Sequence, residues 1–256
     1  MQFQIQTEYL PIKNELLSIP ERFDTEGETI YVGRNTLKVF EIGNEKFCVK
    51  SFQIPHVVNR FAYAYIRKSK AERSFLYASR FLSMGINTPA PVAFMVYRNL
   101  WGVNRSYYIY KWQPCDCTFR GIATSFPDEK DEVYKAFARF TYDFHSKGVY
   151  FIDYSAGNTL VRKEEDGSWH FWLIDLNRTN FVEVPPRLGI KNLARLELPE
   201  ASLRVIAGEY ARLRGEDPEE MSRLLIELTG KNNDRVVRKS HLRAFRKKIK
   251  GIFSRS

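Results

Sequence analysis

The apolar residues of this chain change period after Trp112, and the change implies two differently built parts. Ahead of it, ETIYVGRNTLKVFEI (28–42), KFCVKSF (46–52), PVAFMVYR (91–98) and RSYYIYKW (105–112) are short runs rich in β-branched and aromatic residues, as strands are. Ile42-Gly43-Asn44-Glu45-Lys46 has turn chemistry and predicts a hairpin between the first two runs. Between the second and third lies YIRKSKAERSFLYASRFLSMG (65–85), in which Phe75, Leu76, Phe81 and Leu82 recur at helical spacing and Gly85 sits as a C-cap. Two or three strands, a helix and two more strands make an antiparallel sheet with a single packed helix.

Behind Trp112, PDEKDEVYKAFARFTYDFHSKG (127–148) begins with Pro and acids at the positive end of a helix dipole. It carries Val133, Phe137, Phe140 and Phe144 on one face and stops at Gly148. VYFID, NTLVRK and SWHFWLID follow as short apolar segments, the last two joined by a turn at Glu164-Glu165-Asp166-Gly167. From about 188 the pattern is helical again, with breaks near Pro199, Gly215 to Pro218 and Gly230. The expected fold class is α+β, with residues 1–112 as a sheet lobe, 113–230 as a larger mainly helical lobe and 231–256 as a tail.

At 256 residues and 44% apolar content the chain can fill a sizeable core. It has no uninterrupted apolar run of membrane-spanning length, and MQFQIQTEYLPIKNE lacks the regions of a signal peptide, so the expectation is a cytoplasmic protein. Cys48, Cys115 and Cys117 are an odd number without the second pair of a zinc site, and they read as reduced thiols. The net charge of +10 is concentrated in the tail: residues 231–256 hold ten basic groups and one acid, against 30 and 29 in the rest. A nucleic-acid surface over the body is therefore not expected.

Chemistry-bearing residues appear in a definite order. Lys50 ends KFCVK, where a strand lysine can reach into a cleft and neutralise phosphate oxygens. Glu72, on the helix that follows, is the one acid between Lys50 and Asp116, and is placed to clamp that lysine. Gly33, with Arg34 beside it, lies where the first hairpin would fold over phosphates; a lone glycine in a strand is more often a plain turn or bulge. In FIDYSAGNTL, Asp153 would sit on a loop and accept a proton from an attacking hydroxyl. Asn158 offers a neutral oxygen to a cation, and Asp175, at the end of FWLI, a charged one. Turn and strand-end capping is the bland reading of those three.

FCVK, Glu72, HSKGVYFIDYSAGNTLV and WLIDLNR together resemble the lipopolysaccharide kinases, the Kdo and core-heptose kinase group, which share the protein-kinase-like two-lobed fold. The resemblance covers about residues 28–215. It implies ATP and Mg2+, with Lys50 on the α- and β-phosphates, Glu72 as its helix partner, Asp153 as catalytic base, and Asn158 and Asp175 as metal ligands. It further implies Tyr110, Lys111 and Trp112 as the hinge beside adenine, with Cys48 lining that pocket. There are departures: Phe151 and Ile152 replace the usual histidine and arginine before the aspartate, Leu176 and Asn177 replace phenylalanine and glycine after Asp175, and no alanine-proline-glutamate segment follows. Without that arginine no phosphate-switched activation loop is expected. His145 reads as a packing or hydrogen-bonding residue.

The expected acceptor is a glycolipid, Kdo-lipid A or the lipopolysaccharide core. In RKSHLRAFRKKIKGIFSRS, Leu242, Phe245, Ile249, Ile252 and Phe253 fall near one helical face amid basic residues, the make-up of an interfacial helix on an anionic inner membrane. A helix packed on the large lobe and a nucleic-acid arm are the alternatives for the tail. For the whole chain the alternatives are a core-heptose kinase, a kinase of a small soluble substrate, and a non-catalytic pseudokinase scaffold.

Overall fold

The structure, a computed structural model, describes residues 1–54, 68–99 and 102–232; the basic helix read in the tail lies outside the described residues. The chain divides into two compact units, one of residues 1–115 with 170–179, the other of residues 116–169 with 180–256. Asp175 thus belongs to the unit that carries Lys50, although the segment around it follows the catalytic-loop region in sequence.

The first unit is built on a six-stranded antiparallel sheet. Its strands are β1 (Gln2–Ile5), β2 (Glu28–Val32), β3 (Thr36–Ile42), β4 (Glu45–Ser51), β5 (Pro91–Asn99) and β6 (Gly102–Lys111), in the spatial order β1-β5-β6-β4-β3-β2. The hairpin predicted at Gly43 is present: Ile42 faces Glu45, and Gly43 takes the left-handed conformation the turn requires, with φ +61. The helix read over 65–85 begins later, as Lys70–Ser83. Ser69 caps it by accepting the Glu72 N–H at 3.1 Å, and Gly85 ends it at φ +67 while the Ile86 N–H reaches the Phe81 carbonyl at 2.9 Å.

One expectation is corrected. The sheet carries helices on both faces, because the first 27 residues supply α1 (Lys13–Arg22) as well as β1. Leu16, Ile19 and Phe23 of that segment join Tyr9, Phe40, Phe47, Val49, Ala93, Met95 and Ile109 in one buried cluster. The helix Lys70–Ser83, α2, covers the opposite face, with Phe75 and Phe94 edge to face at 5.4 Å. Pro11, Pro20 and a polar composition mask the N-terminal helix in sequence, and tertiary burial of three or four apolar side chains decides it.

The second unit is mainly helical. After the short helix α3 (Ile122–Ser125), α4 (Lys130–Ser146) buries Val133, Phe137, Phe144 and His145. Further on come α5 (Pro186–Leu193), α6 (Glu200–Arg214) and a helix over residues 218–232. β7 (Cys117–Thr118), ahead of α3, pairs antiparallel with β9 (Thr159–Lys163), and β8 (Val149–Phe151) leads into the loop that bears Asp153. The turn predicted at Glu164–Gly167 closes through the Gly167 N–H on the Glu164 carbonyl and the Glu164 N–H on that of Ser168, both at 2.9 Å. No helix of the described residues is long and apolar enough to cross a membrane.

Candidate active site

In the sheet unit, strand alternation sorts the side chains of β4 and β6 between two faces. Phe47, Val49 and Ile109 point to the core under α1; Cys48 and Lys50 lie on the other side, opposite Tyr110 and Tyr108. Lys50 is 8% exposed, and its Nζ stands 2.8 Å from Asp175 Oδ1. The same oxygen accepts the Asn177 side-chain amide at 2.5 Å. Asp175 holds this position at φ +63, a left-handed conformation that aspartate tolerates better than most residues. Two hydrogen-bond donors on Oδ1 leave Oδ2 as the oxygen available to a cation.

The strand leading to Asp175 is fixed within the same unit: the Leu173 N–H donates to the Asn87 carbonyl at 3.1 Å, and Thr88 Oγ1 donates to the Leu173 carbonyl at 2.8 Å. Cys48 is 1% exposed, and its thiol donates to Tyr110 Oη at 3.0 Å. Burial pushes that thiol up to about 11, partly offset by the Tyr110 bond and by Lys50, so it is a neutral floor to this face and not a nucleophile.

Other predicted members are placed differently. Among the described residues the carboxylate of Glu72 pairs with Lys68 at 3.7 Å, while Lys50 pairs with Asp175; the expected Lys50–Glu72 clamp is not formed. Glu72 occupies the third position of α2, the first helical turn, where the helix dipole favours an acid whether or not a lysine reaches it. Lys111 falls on the opposite parity from Tyr110, and its Nζ pairs with Glu45 at 3.3 Å, away from Lys50. The Lys111 and Trp112 N–H groups donate to the Ala90 and Lys46 carbonyls at 2.8 and 2.9 Å, so neither of these two donors is available to a base. Gly33 and Arg34 form the exposed β2–β3 turn, with the Gly33 N–H on the Asn35 carbonyl at 3.1 Å. A Cβ on Gly33 would meet the ring and hydroxyl of Tyr31, an exposed side chain that can move aside, so the contact does not require glycine there.

In the helical unit, Asp153 and Asn158 are joined directly. The Asn158 side-chain amide donates to the Asp153 carbonyl at 2.8 Å, as does the Ser155 N–H at 2.8 Å. That bond uses the NH2 end of the amide and leaves its oxygen as an acceptor of the kind a hard cation takes. Tyr154 anchors the loop: it is fully buried, stacked on Phe137 at 5.5 Å, and hydrogen-bonded to Thr141 Oγ1 at 2.6 Å.

Beneath the loop lies a set of residues that sequence reading assigned only in part. His145 Nε2 meets Asn192 Oδ1 at 3.1 Å, its Nδ1 meets Tyr210 Oη at 2.9 Å, and the Asn192 amide donates to the Phe151 carbonyl at 2.8 Å. The amide oxygen can only accept, so His145 donates from Nε2 and accepts at Nδ1. Burial lowers its pKa to about 3, and the ring is neutral. Asn192 and Asn177 carry no sequence signal of their own, since each acts through a partner distant in sequence or two residues away.

The lipopolysaccharide kinase (Kdo/WaaP) family model matches residues 26–236. The chain belongs to that family. It is accordingly an ATP-dependent phosphotransferase with a sugar hydroxyl as acceptor, which sets aside the non-catalytic scaffold. Among solved structures it is similar to WaaP in complex with acyl carrier protein, at 16% identity and a TM-score of 0.63, covering 91% of this chain and 99% of that one. That likeness establishes the protein-kinase-like fold. The Rio2 kinase–ADP/Mg2+–phosphoaspartate complex from Chaetomium thermophilum also matches, at 11% identity and a TM-score of 0.49, covering 86% of this chain and 75% of that one. No curated protein matches.

Proposed function

We propose that this kinase phosphorylates a sugar hydroxyl of the lipopolysaccharide inner core, Kdo on lipid A, using ATP and Mg2+ at the cytoplasmic face of the inner membrane. The observation that carries the reading is the division of labour around Asp153, Asn158, Lys50 and Asp175 in a chain of this family. Asp153 accepts the proton as the acceptor O–H breaks and a new O–P bond forms; the bond from the γ-phosphorus to the β,γ-bridging oxygen breaks, and ADP leaves. Lys50 stands on the sheet face to neutralise phosphate oxygens. Asp175 and Asn158 each offer an oxygen of the kind a hard divalent ion takes, and a magnesium ion would offset the triphosphate charge. The basic tail supports a bilayer contact, each of its cations contributing about 1 kcal/mol near an anionic surface.

The test is mass spectrometry of Kdo-lipid A after incubation with the protein, ATP and Mg2+. One added phosphate on the Kdo fragment, absent with Asp153→Ala, is the expected result. Phosphate on a heptose-bearing core instead would move the assignment to core-heptose kinase, and phosphate on neither would refute it.

A further inference from the structure

The loop from Phe151 to Thr159, FIDYSAGNT, contains no basic residue, although the acceptor proposed for it is an acid. A cation reaches it from elsewhere in the same unit. A Cβ built on Gly157, between Asp153 and Asn158, would lie 3.9 Å from both Nε and Nη2 of Arg120, so the guanidinium packs along the loop at that glycine. Arg120 comes from the one-turn helix Phe119–Gly121. Its neighbour Phe119 is fully buried and stacked on Phe137 at 3.7 Å, and Phe137 also stacks on the loop's own Tyr154. One aromatic stack therefore fixes both the loop and the element that carries the arginine.

Arg120 is exposed, and among the described residues no acid or carbonyl pairs with it. The nearby cations are committed otherwise: Arg162 to Glu164 and Lys163 to Glu129. Gly157 contributes no side chain that could cover the guanidinium, and a Cβ there would only reach ordinary van der Waals contact with it. A planar five-donor fork aimed along a catalytic loop matches a carboxylate or phosphate in two-point fashion.

We propose that Arg120 binds an anionic group of the acceptor, a sugar carboxylate or a phosphate on the same glycolipid, and so sets the acidic-acceptor specificity of the reaction. This rests on the function proposed above. Arg120 holds the substrate against the Asp153 loop; the nucleotide is bound by Lys50 and Asp175, which lie in the other unit.

The experiment is steady-state kinetics of the full-length protein with Kdo-lipid A in detergent micelles, comparing Arg120→Gln and Arg120→Lys with wild type. Arg120→Gln should raise the acceptor KM about tenfold or more, with kcat within a factor of about two and KM for ATP unchanged; Arg120→Lys should recover part of the loss. Because Arg120 is exposed, melting temperature and Mg·ATP-induced thermal stabilisation should match wild type. Repeating the comparison on the Kdo methyl ester and on dephosphorylated lipid separates the sources: the penalty vanishes on whichever acceptor lacks the recognised anion. An unchanged acceptor KM, a loss falling on ATP, or a penalty persisting on both modified acceptors overturns the inference while the function stands. Absence of phosphorylated product with wild type overturns both.

Discussion

Lys50 and Asn177 converge on a single oxygen, Oδ1 of Asp175, at 2.8 and 2.5 Å. The arrangement restrains the carboxylate through Oδ1 and leaves Oδ2 to other partners. Lys50 spends one of its three N–H donors on Asp175 and keeps two for other acceptors.

Lys50→Met should separate chemistry from folding. The methionine keeps the buried stem, and Asp175, with 30% of its side chain exposed, can be hydrated when its cation is lost. Turnover should fall by about two to three orders of magnitude, as when a preorganised charge is removed from a transition state. The melting temperature should stay within a few degrees of wild type; a collapse of the fold would show that the ion pair is structural.

Asn177→Ala should leave Asp175 in place but with Lys50 as the one remaining donor on its Oδ1. On the proposed role of Asp175 as a metal ligand, losing a partner that orients it should raise the half-saturating Mg2+ concentration on the order of tenfold. The reading is Mg2+-dependent thermal stabilisation by ATP, which needs no turnover. An unchanged Mg2+ dependence would show that Asp175 is held by its own backbone conformation.

The neutral His145 gives the fold a defined pH response. Its pKa is lowered from 6.5 to about 3 on folding, so between these values the unfolded chain binds a proton that the folded chain does not. Stability is therefore fully present above about pH 6.5 and is lost progressively as pH falls towards 3. Carboxylates with lowered values, such as Glu209 beside Arg212, lose their share only below their usual range near 4.5. Denaturant unfolding at pH 7.5, 6 and 5 should show a falling midpoint, and His145→Gln should flatten the slope over that interval. An equal slope in the variant would place the titrating group elsewhere.

Much of this was legible in the sequence where one residue type must meet one local need. The strands at Lys50 and Tyr110, the hairpin at Gly43 and the helix ending at Gly85 follow from period and turn chemistry. What escaped was decided by tertiary contact. The helix Lys13–Arg22 forms because the sheet has an uncovered apolar face, and nothing local announces it. Glu72 was read as the partner of Lys50 because it is the one acid between Lys50 and Asp116, on the helix that follows, yet spatial proximity gives that place to Asp175, 125 residues further on. Ser69 and Glu72 do carry a readable signal, the spacing of a capping box, which the search for a lysine partner obscured. Arg120 and Gly157 are likewise unremarkable alone and meet only in the fold.

Two glycines of adjacent helices should respond oppositely to alanine. At Gly189, in α5, a Cβ would stand 2.0 Å from Tyr210 Oη and 3.1 Å from His145 Nδ1, in the centre of the network that supports Phe151 and the Asp153 loop. Both neighbours are buried, so neither can step aside without breaking a hydrogen bond. Overpacking of that kind costs about 1–3 kcal/mol, and the lost hydrogen bond adds about 1 kcal/mol or more. At Gly208, inside α6, a Cβ meets nothing within 4 Å, and alanine should stabilise the helix by about 0.5–1 kcal/mol. Denaturant midpoints measured side by side decide the matter: Gly189→Ala should fall well below wild type and lose turnover with it, while Gly208→Ala should rise and keep full activity. A Gly189→Ala protein as stable as wild type would mean that α5 can move away from Tyr210, and that the His145 network does not fix the catalytic loop.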